Sequence, residues 1–154
     1  MKTEQDKRVS QVSSFLKELL EAAKLDLDFR CESEEGTVIV RLYGHDVGMV
    51  LSNGARLLYA VNHILSRAFY ESGPEAFNLL VDCNDYRNTR AEELESLARK
   101  AAEGVKDSGH PYLFDSMPAS ERRVVHLALA DDEAVMTESE GGGLQRRVVI
   151  LPVK

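Results

Sequence analysis

The residues best suited to chemistry in this sequence are an arginine and a histidine separated by three positions, Arg122 and His126. On a helix, positions i and i+4 lie on the same face one turn apart, so the two side chains can act together. A guanidinium grips a phosphate through paired hydrogen bonds or stacks on a base, and an imidazole stacks or donates a hydrogen bond. Such a pair is able to contact nucleic acid, although the pair alone favours a plainer alternative. The plainer alternative is a solvated arginine beside a histidine that packs its helix against a sheet.

Three further arginines can extend this basic surface. Arg123 follows Arg122 directly and is turned about 100° from it around a helix. Arg146 and Arg147 are predicted to lie on one strand, where neighbouring side chains point to opposite faces of a sheet. At most one of these two can therefore share a surface with Arg122.

Arg87 and Arg90 form a second candidate pair, three residues apart at the start of a predicted helix. Positive charge is unfavourable there because the helix dipole places its positive end at the N-terminus. A phosphate can neutralise these arginines, and so can an acidic neighbour. Three glutamates lie close enough in sequence to do so, and these are Glu92, Glu93 and Glu95.

The sequence lacks the motifs of the common enzyme classes. It has no G-x-S-x-G, no Walker-type phosphate loop and no G-x-G-x-x-G, and the glycines 141–143 have no Lys-Ser/Thr after them. None of its four histidines has metal-ligand spacing, and Cys31 and Cys83 form no C-x-x-C pair. We therefore expect a protein that is not an enzyme, with no catalytic residue, no metal and no cofactor.

Composition and charge limit the class of protein. The chain has 154 residues, 44 % of them hydrophobic and 29 % charged, which is typical of a globular protein. No apolar run approaches the roughly 20 residues that span a bilayer, and the polar N-terminus does not resemble a signal peptide. We expect a cytoplasmic protein without membrane contact. Its net charge of −7 opposes nucleic-acid binding by the surface as a whole, so binding requires a local basic patch.

Hydrophobic periodicity predicts an α+β protein, and its first part reads helix, strand, strand, helix, helix, strand. These elements are a helix over 6–24, strands over 25–31 and 37–43, a short glycine-flanked helix within 44–55, a helix over 56–70 and a strand over 76–82. Ser72-Gly73-Pro74 is predicted to stop the second long helix, since proline cannot continue it.

The second part reads long helix, strand, helix and β-hairpin. Thr89 and Glu92 have the spacing of a capping box, which predicts a helix from there to about Lys106. The remaining elements are a strand over 111–115, a helix over 119–130, and strands over 134–139 and 144–153 joined by a glycine-rich hairpin turn. We place the domain boundary between these parts, giving domains 1–84 and 85–154.

The second part resembles a known nucleic-acid-binding domain. The R-3-H domain is named for an arginine and a histidine separated by three residues, and the resemblance rests on Arg122 and His126 together with the stretches 137–141 (Thr-Glu-Ser-Glu-Gly) and 146–150 (Arg-Arg-Val-Val-Ile). With Tyr86, Arg87 and Arg90, the chain resembles more narrowly the Jag (SpoIIIJ-associated) family of bacterial RNA-binding proteins. The resemblance extends over nearly the whole chain from about Val9, so we expect it to lack the separate small N-terminal domain of many Jag proteins.

Residues 1–84 resemble a KH domain of the type that has its extra helix and strand on the N-terminal side. A KH domain clamps a nucleotide backbone with a Gly-x-x-Gly loop between two helices. The equivalent loop here is Ser52-Asn53-Gly54-Ala55, in which both flanking glycines are replaced and neither middle residue is basic. The resemblance therefore implies a KH fold whose clamp is degenerate.

The resemblance implies binding of single-stranded RNA or DNA, with RNA preferred, in a bacterial cytoplasm. The implied contacts lie on the face of Arg122 and His126, helped by the other arginines at 87, 90, 123, 146 and 147. The alternative is a protein–protein adaptor whose KH-like domain forms a homodimer or docks on another small KH protein. The degenerate loop favours this alternative, as do the 9 basic and 14 acidic side chains of residues 1–86. An RNA-dependent change of mass in solution distinguishes the two.

Overall fold

A computed structural model describes residues 2–69 and 77–153 of the chain. The chain forms two compact units, Met1–Arg87 (unit 1) and Asn88–Lys154 (unit 2). Each unit has its own hydrophobic core. Within the described residues, every helix is too short or too polar to cross a membrane.

Unit 1 consists of a three-stranded sheet and two long helices. Its elements in chain order are α1 (Lys2–Ala22), β1 (Leu27–Glu34), β2 (Thr37–Gly44), α2 (Val47–Ala68) and β3 (Asn78–Cys83). The strand order is β1-β2-β3, with β1 antiparallel and β3 parallel to β2. Because non-helical backbone at residues 52–55 breaks α2, the predicted helix-strand-strand-helix-helix-strand order is confirmed. The helix stop predicted at residues 72–74 lies outside the described residues.

The core of unit 1 follows directly from the two periodicities of its sequence. Val12, Leu16 and Leu20 recur every four residues along α1 and are all buried. The central strand β2 alternates, and the residues on its inner face are fully buried. Burying each of these aliphatic side chains contributes about 1.5–3 kcal/mol. The buried side chains of β2 are Val38, Val40 and Leu42.

Unit 2 packs helices on a second small sheet. Its elements are α3 (Tyr86–Ser108, whose first two residues belong to unit 1), β4 (Tyr112–Leu113), α4 (Ala119–Ala128), β5 (Val135–Glu140), a 3-10 turn (Gly143–Gln145) and β6 (Arg147–Pro152). The strand order is β4-β6-β5, and both outer strands run antiparallel to β6. The predicted α+β class is therefore confirmed, with element boundaries displaced by a few residues.

The start of α3 differs from the prediction. The helix begins at Tyr86, so Thr89 lies inside it and is not the N-cap of a capping box. The carboxylate of Asp82, at the end of β3, accepts a hydrogen bond from the backbone N–H of Arg87 at 3.3 Å. A side chain from the preceding strand thus satisfies a free N–H of the first turn, and a local sequence pattern cannot show this.

The connection between β5 and β6 also differs, because the predicted tight hairpin is a longer loop. The 3-10 turn occupies Gly143–Gln145, and β6 begins only at Arg147. Arg146 therefore precedes the strand, and the expectation that both arginines lie on one strand is wrong. The N–H of Arg146 bonds instead to the carbonyl of Gly143 at 3.4 Å, which closes the turn.

The glycine loop yields the first testable prediction. Gly141 has φ +82°, and a Cβ added there would lie 2.9 Å from the carbonyl oxygen of Gln145. Gly141→Ala should therefore lower the free energy of unfolding by about 2 kcal/mol in urea denaturation. The matched control is Gly142→Ala, because Gly142 is extended (φ −133°) and has open space around it. The control should change stability by less than about 0.5 kcal/mol; equal losses in the two variants would contradict the loop geometry.

Candidate nucleic-acid interface

The helix α4 presents a buried face and a half-buried flank at the candidate site. Glu121, Val125 and Leu129 recur every four residues and are buried against the core of unit 2. Arg122 and His126, one position further along, are half-buried. The Arg-x-x-x-His pair therefore lies on the flank of α4 and not on its most exposed side.

A chain of hydrogen bonds joins this flank to β5. The Nη1 of Arg122 donates to the Oγ of Ser139 at 3.0 Å. The two ring nitrogens of His126 lie at hydroxyl groups, with Nε2 at 2.9 Å from the Oγ of Ser139 and Nδ1 at 2.6 Å from the Oγ1 of Thr137. Thr137 and Ser139 share one face of β5 because side chains alternate along a strand. We call these four residues the α4–β5 relay.

The surroundings of His126 favour its neutral form. Burial lowers the pKa of His126 below the ordinary value of 6.5, and the positive charge of Arg122 lowers it further. Both effects favour the uncharged ring, so the positive charge of the pair resides mainly on Arg122. His126 thus links α4 to β5 through hydrogen bonds to Thr137 and Ser139.

Arg122 lacks two kinds of partner among the described residues. Its Nε is buried and has no hydrogen-bond partner among the described residues. No carboxylate of the described ranges lies within ion-pair distance of its guanidinium. A half-buried cation with only a hydroxyl partner is a favourable place for an anion, because its charge is not compensated.

A largely buried ion pair supports the core-facing side of α4. The Nε of Arg90 donates to the carboxylate of Glu121 at 3.2 Å, and its Nη1 donates to Glu93 at 3.1 Å. The Glu121 side chain is only 8 % exposed, whereas that of Glu93 is 60 % exposed. Of the three acids considered as partners for Arg90, Glu93 is the one seen here, and the buried partner Glu121 was missed.

The remaining arginines of the predicted set lie in different settings. Arg87 bonds to the carbonyl of Val81 at 2.8 Å and to Asn62 at 3.2 Å within unit 1, and stacks over Tyr59. Arg147 pairs with Glu140 at 2.8 Å. Arg87 and Arg147 are therefore each engaged by partners within their own unit.

Two arginines of that set remain exposed. These are Arg123, on the next position of α4, and Arg146, directly before β6. Over residues 2–69 and 77–153, neither of them is found in an ion pair. The carbonyl of Arg146 accepts the N–H of Met117 at 3.1 Å, which ties the loop before β6 to the segment that leads into α4.

The KH-like loop of residues 52–55 contains a run of left-handed backbone. Asn53, Gly54 and Ala55 all have left-handed backbone, with φ of 50°, 68° and 55°. The Oγ of Ser52 donates to the carbonyl of Met49 at 2.8 Å, which closes the preceding turn. Ala55 is fully buried. The loop thus turns sharply between two helical segments but presents no cation of its own.

A basic residue lies directly after this loop. Arg56 follows Ala55 and is exposed at the start of the second helical segment. It was not among the predicted contacts, although its place after the Gly-x-x-Gly equivalent makes it a candidate. The described residues contain no cluster of three or more His, Cys, Asp or Glu side chains able to hold a metal ion.

Comparison with known proteins matches the second half of the chain to a family. The family model of the R-3-H domain matches residues 92–152, which include Arg122, His126, Thr137 and Ser139. The match covers most of unit 2.

Curated relatives extend the similarity to both units. The chain is 30 % identical over 150 residues to the RNA-binding protein KhpB of Clostridium symbiosum, covering 96 % of this chain and 66 % of the relative. It is also 30 % identical over 135 residues to KhpB of Lactiplantibacillus plantarum, covering 88 % of this chain and 41 % of the relative. For KhpB of Bacillus subtilis the identity is 26 % over 144 residues, covering 92 % and 69 %. The chain thus spans 66 % and 41 % of the first two relatives.

The buried ion pair can be tested by removing each acid that Arg90 contacts. Glu121→Gln should lower the free energy of unfolding by about 2 kcal/mol, because it leaves a partly buried cation without its buried partner. Glu93→Gln is the matched control and should cost less than about 0.5 kcal/mol, as expected for a solvated pair. Urea denaturation measures the stability of both variants. Similar losses would show that the burial of Glu121 does not strengthen its ion pair with Arg90.

The relay predicts a pH dependence of stability. Since the folded pKa of His126 is below 6.5, the unfolded chain binds a proton more readily than the folded chain as the pH falls through 6.5. The free energy of unfolding should therefore decrease from pH 7.5 toward pH 5.5, and the His126→Gln variant should lack this part of the decrease. Chemical denaturation across this range measures the free energy of unfolding of both proteins. If this free energy changed with pH equally in the two proteins, the prediction would be wrong.

Proposed function

We propose that this chain, which belongs to the Jag family of RNA-binding proteins, binds single-stranded nucleic acid through the Arg122 flank of α4. The observation that carries the proposal is the half-buried guanidinium of Arg122, which bonds to a hydroxyl and has no carboxylate partner in the described ranges. A phosphate oxygen supplies the missing negative charge. The match of the R-3-H family to residues 92–152 supports the same region.

The binding surface centres on Arg122 and includes Arg123 and Arg146. Arg90 and Arg147 are already paired with carboxylates, and Arg87 bonds within unit 1, so we leave these three out of the surface. Three cations give a log–log dependence of affinity on salt with a slope of roughly −2 for a single strand. The few contacts and the net charge of −7 favour weak binding that is lost as salt is added.

We propose RNA rather than DNA as the ligand, and a bacterial cytoplasm as its location. The support is the printed description of the relatives from three bacteria, each an RNA-binding protein. The proposed contact of Arg122 is to the phosphate backbone, which positions a strand without reading its sequence.

Fluorescence anisotropy of a labelled random single-stranded RNA tests this function. Arg122→Ala should weaken binding at least about tenfold at low salt and reduce the steepness of the salt dependence by about 0.7. Lys100→Ala is the matched control, because Lys100 is an exposed cation on α3 that takes no part in the relay. It removes the same charge from the same unit and should change the affinity less than about twofold.

Three results of this experiment would contradict the proposal. If the wild-type protein fails to bind RNA at low salt, the proposed function is wrong. Equal losses for Arg122→Ala and Lys100→Ala would indicate a general charge effect and no defined site. Tight binding with a salt slope near zero would exclude a mechanism based on phosphate contacts.

A second candidate function is that of a protein–protein adaptor acting through unit 1. The observation that favours it is the apolar side chain of Met49, which is 56 % exposed just before a loop that has no cation of its own. The partner in this case is a second copy of the chain or another small KH protein. Light scattering with and without RNA separates the candidates, because a stable dimer that is indifferent to RNA favours the adaptor.

A further inference from the structure

We propose that Ser139 is a positioning residue for nucleic-acid binding, and that His126 acts through Ser139 on Arg122 instead of contacting the nucleic acid with its ring nitrogens. The inference rests on the function proposed above and assigns different roles to the two residues of the Arg-x-x-x-His pair. Arg122 is the contact, and the histidine belongs to the support behind it.

The first argument is the hydrogen-bonding capacity of the histidine. A neutral imidazole has one donor and one acceptor. Both ring nitrogens of His126 lie within hydrogen-bond distance of hydroxyls of β5, at 2.6 Å from Thr137 and 2.9 Å from Ser139. With both nitrogens engaged, His126 has no polar group left for a phosphate or a base.

The second argument is the direction of the bonds in the relay. A guanidinium can only donate, so the Oγ of Ser139 must accept from Arg122. The single hydrogen of that hydroxyl is then available for Nε2 of His126, which acts as the acceptor. Nδ1 carries the ring proton and donates it to Thr137. Each bond polarises the next in the same direction, which favours this arrangement over the reverse one.

The third argument is what the relay does to Arg122. An arginine side chain loses considerable rotamer freedom when a ligand immobilises it. Ser139 holds the guanidinium in one orientation before any ligand arrives, so that loss occurs on folding and does not weaken binding. The hydroxyl of Ser139 is the only link in the relay between the histidine and the arginine.

A double-mutant cycle on RNA affinity tests the coupling. Ser139→Ala should weaken binding of a labelled single-stranded RNA about fivefold in the otherwise wild-type protein. In the Arg122→Ala background, at low salt, the same change should have no further effect. Ser139→Thr keeps the hydroxyl and is the matched control, with an affinity within about twofold of wild type. Thermal denaturation of each variant verifies that it is folded.

The outcomes separate this inference from the function on which it rests. If Arg122→Ala loses binding but Ser139→Ala does not, the proposed function stands and the positioning role is wrong. If Ser139→Ala weakens binding equally in both backgrounds, Ser139 contacts the ligand independently and the coupling is wrong. If Arg122→Ala binds like wild type, the proposed site is wrong and the inference falls with it.

A measurement on the wild-type protein gives an independent answer if Ser139→Ala does not fold. Nitrogen-15 NMR of the His126 ring reports which nitrogen carries the proton. We expect protonated Nδ1 and unprotonated Nε2, unchanged when the same RNA is added to saturation. A proton on Nε2 in the free protein, or a change of tautomer on adding RNA, would overturn the assignment.

Discussion

The rotation of α4 about its own axis decides which of its side chains reach the solvent, and the buried face formed by Glu121, Val125 and Leu129 fixes that rotation. A buried charge is costly without a partner, and Arg90 on α3 supplies one at 3.2 Å. Because Glu121 lies on the same face as Val125, the ion pair and the apolar core hold the helix in one orientation. The next position around the helix then faces β5, which is where Arg122 meets Ser139. The relay and the position of the Arg122 guanidinium both depend on this orientation of α4.

Much of the fold is predictable from the sequence because periodicity alone determines it. The four-residue repeat of α1 and the alternation of β2 each bury one face, and the order of elements follows. The errors arise where a distant side chain or an irregular turn intervenes. Asp82 of β3 caps α3 from outside the helix, and the 3-10 turn of residues 143–145 replaces part of a predicted strand. Neither is encoded in a local pattern of hydrophobic residues.

The candidate site is predictable in part, for the same reason. The spacing of Arg122 and His126 places them together on one helix, and the alternation of β5 places Thr137 and Ser139 on one face. That these two faces meet is a tertiary fact, and the role of Ser139 depends on it. Glu121 could have been identified from its four-residue spacing to Val125, since a glutamate in a core position requires a cation nearby. The partners of Arg87 and Arg147 come from other elements and could not be predicted in this way.

The left-handed loop of unit 1 restricts how its sequence can change over evolutionary time. Ala55 combines a fully buried side chain with φ of 55°, a backbone conformation that favours glycine and is unfavourable for most other residues. A side chain larger than a methyl group would meet both the packed core and the strained backbone. Only replacement by a smaller residue should therefore be tolerated at this position. Replacement by glycine should cause little disturbance, whereas a bulkier residue should be excluded, so the buried methyl group and the left-handed backbone together preserve the bend between the helices.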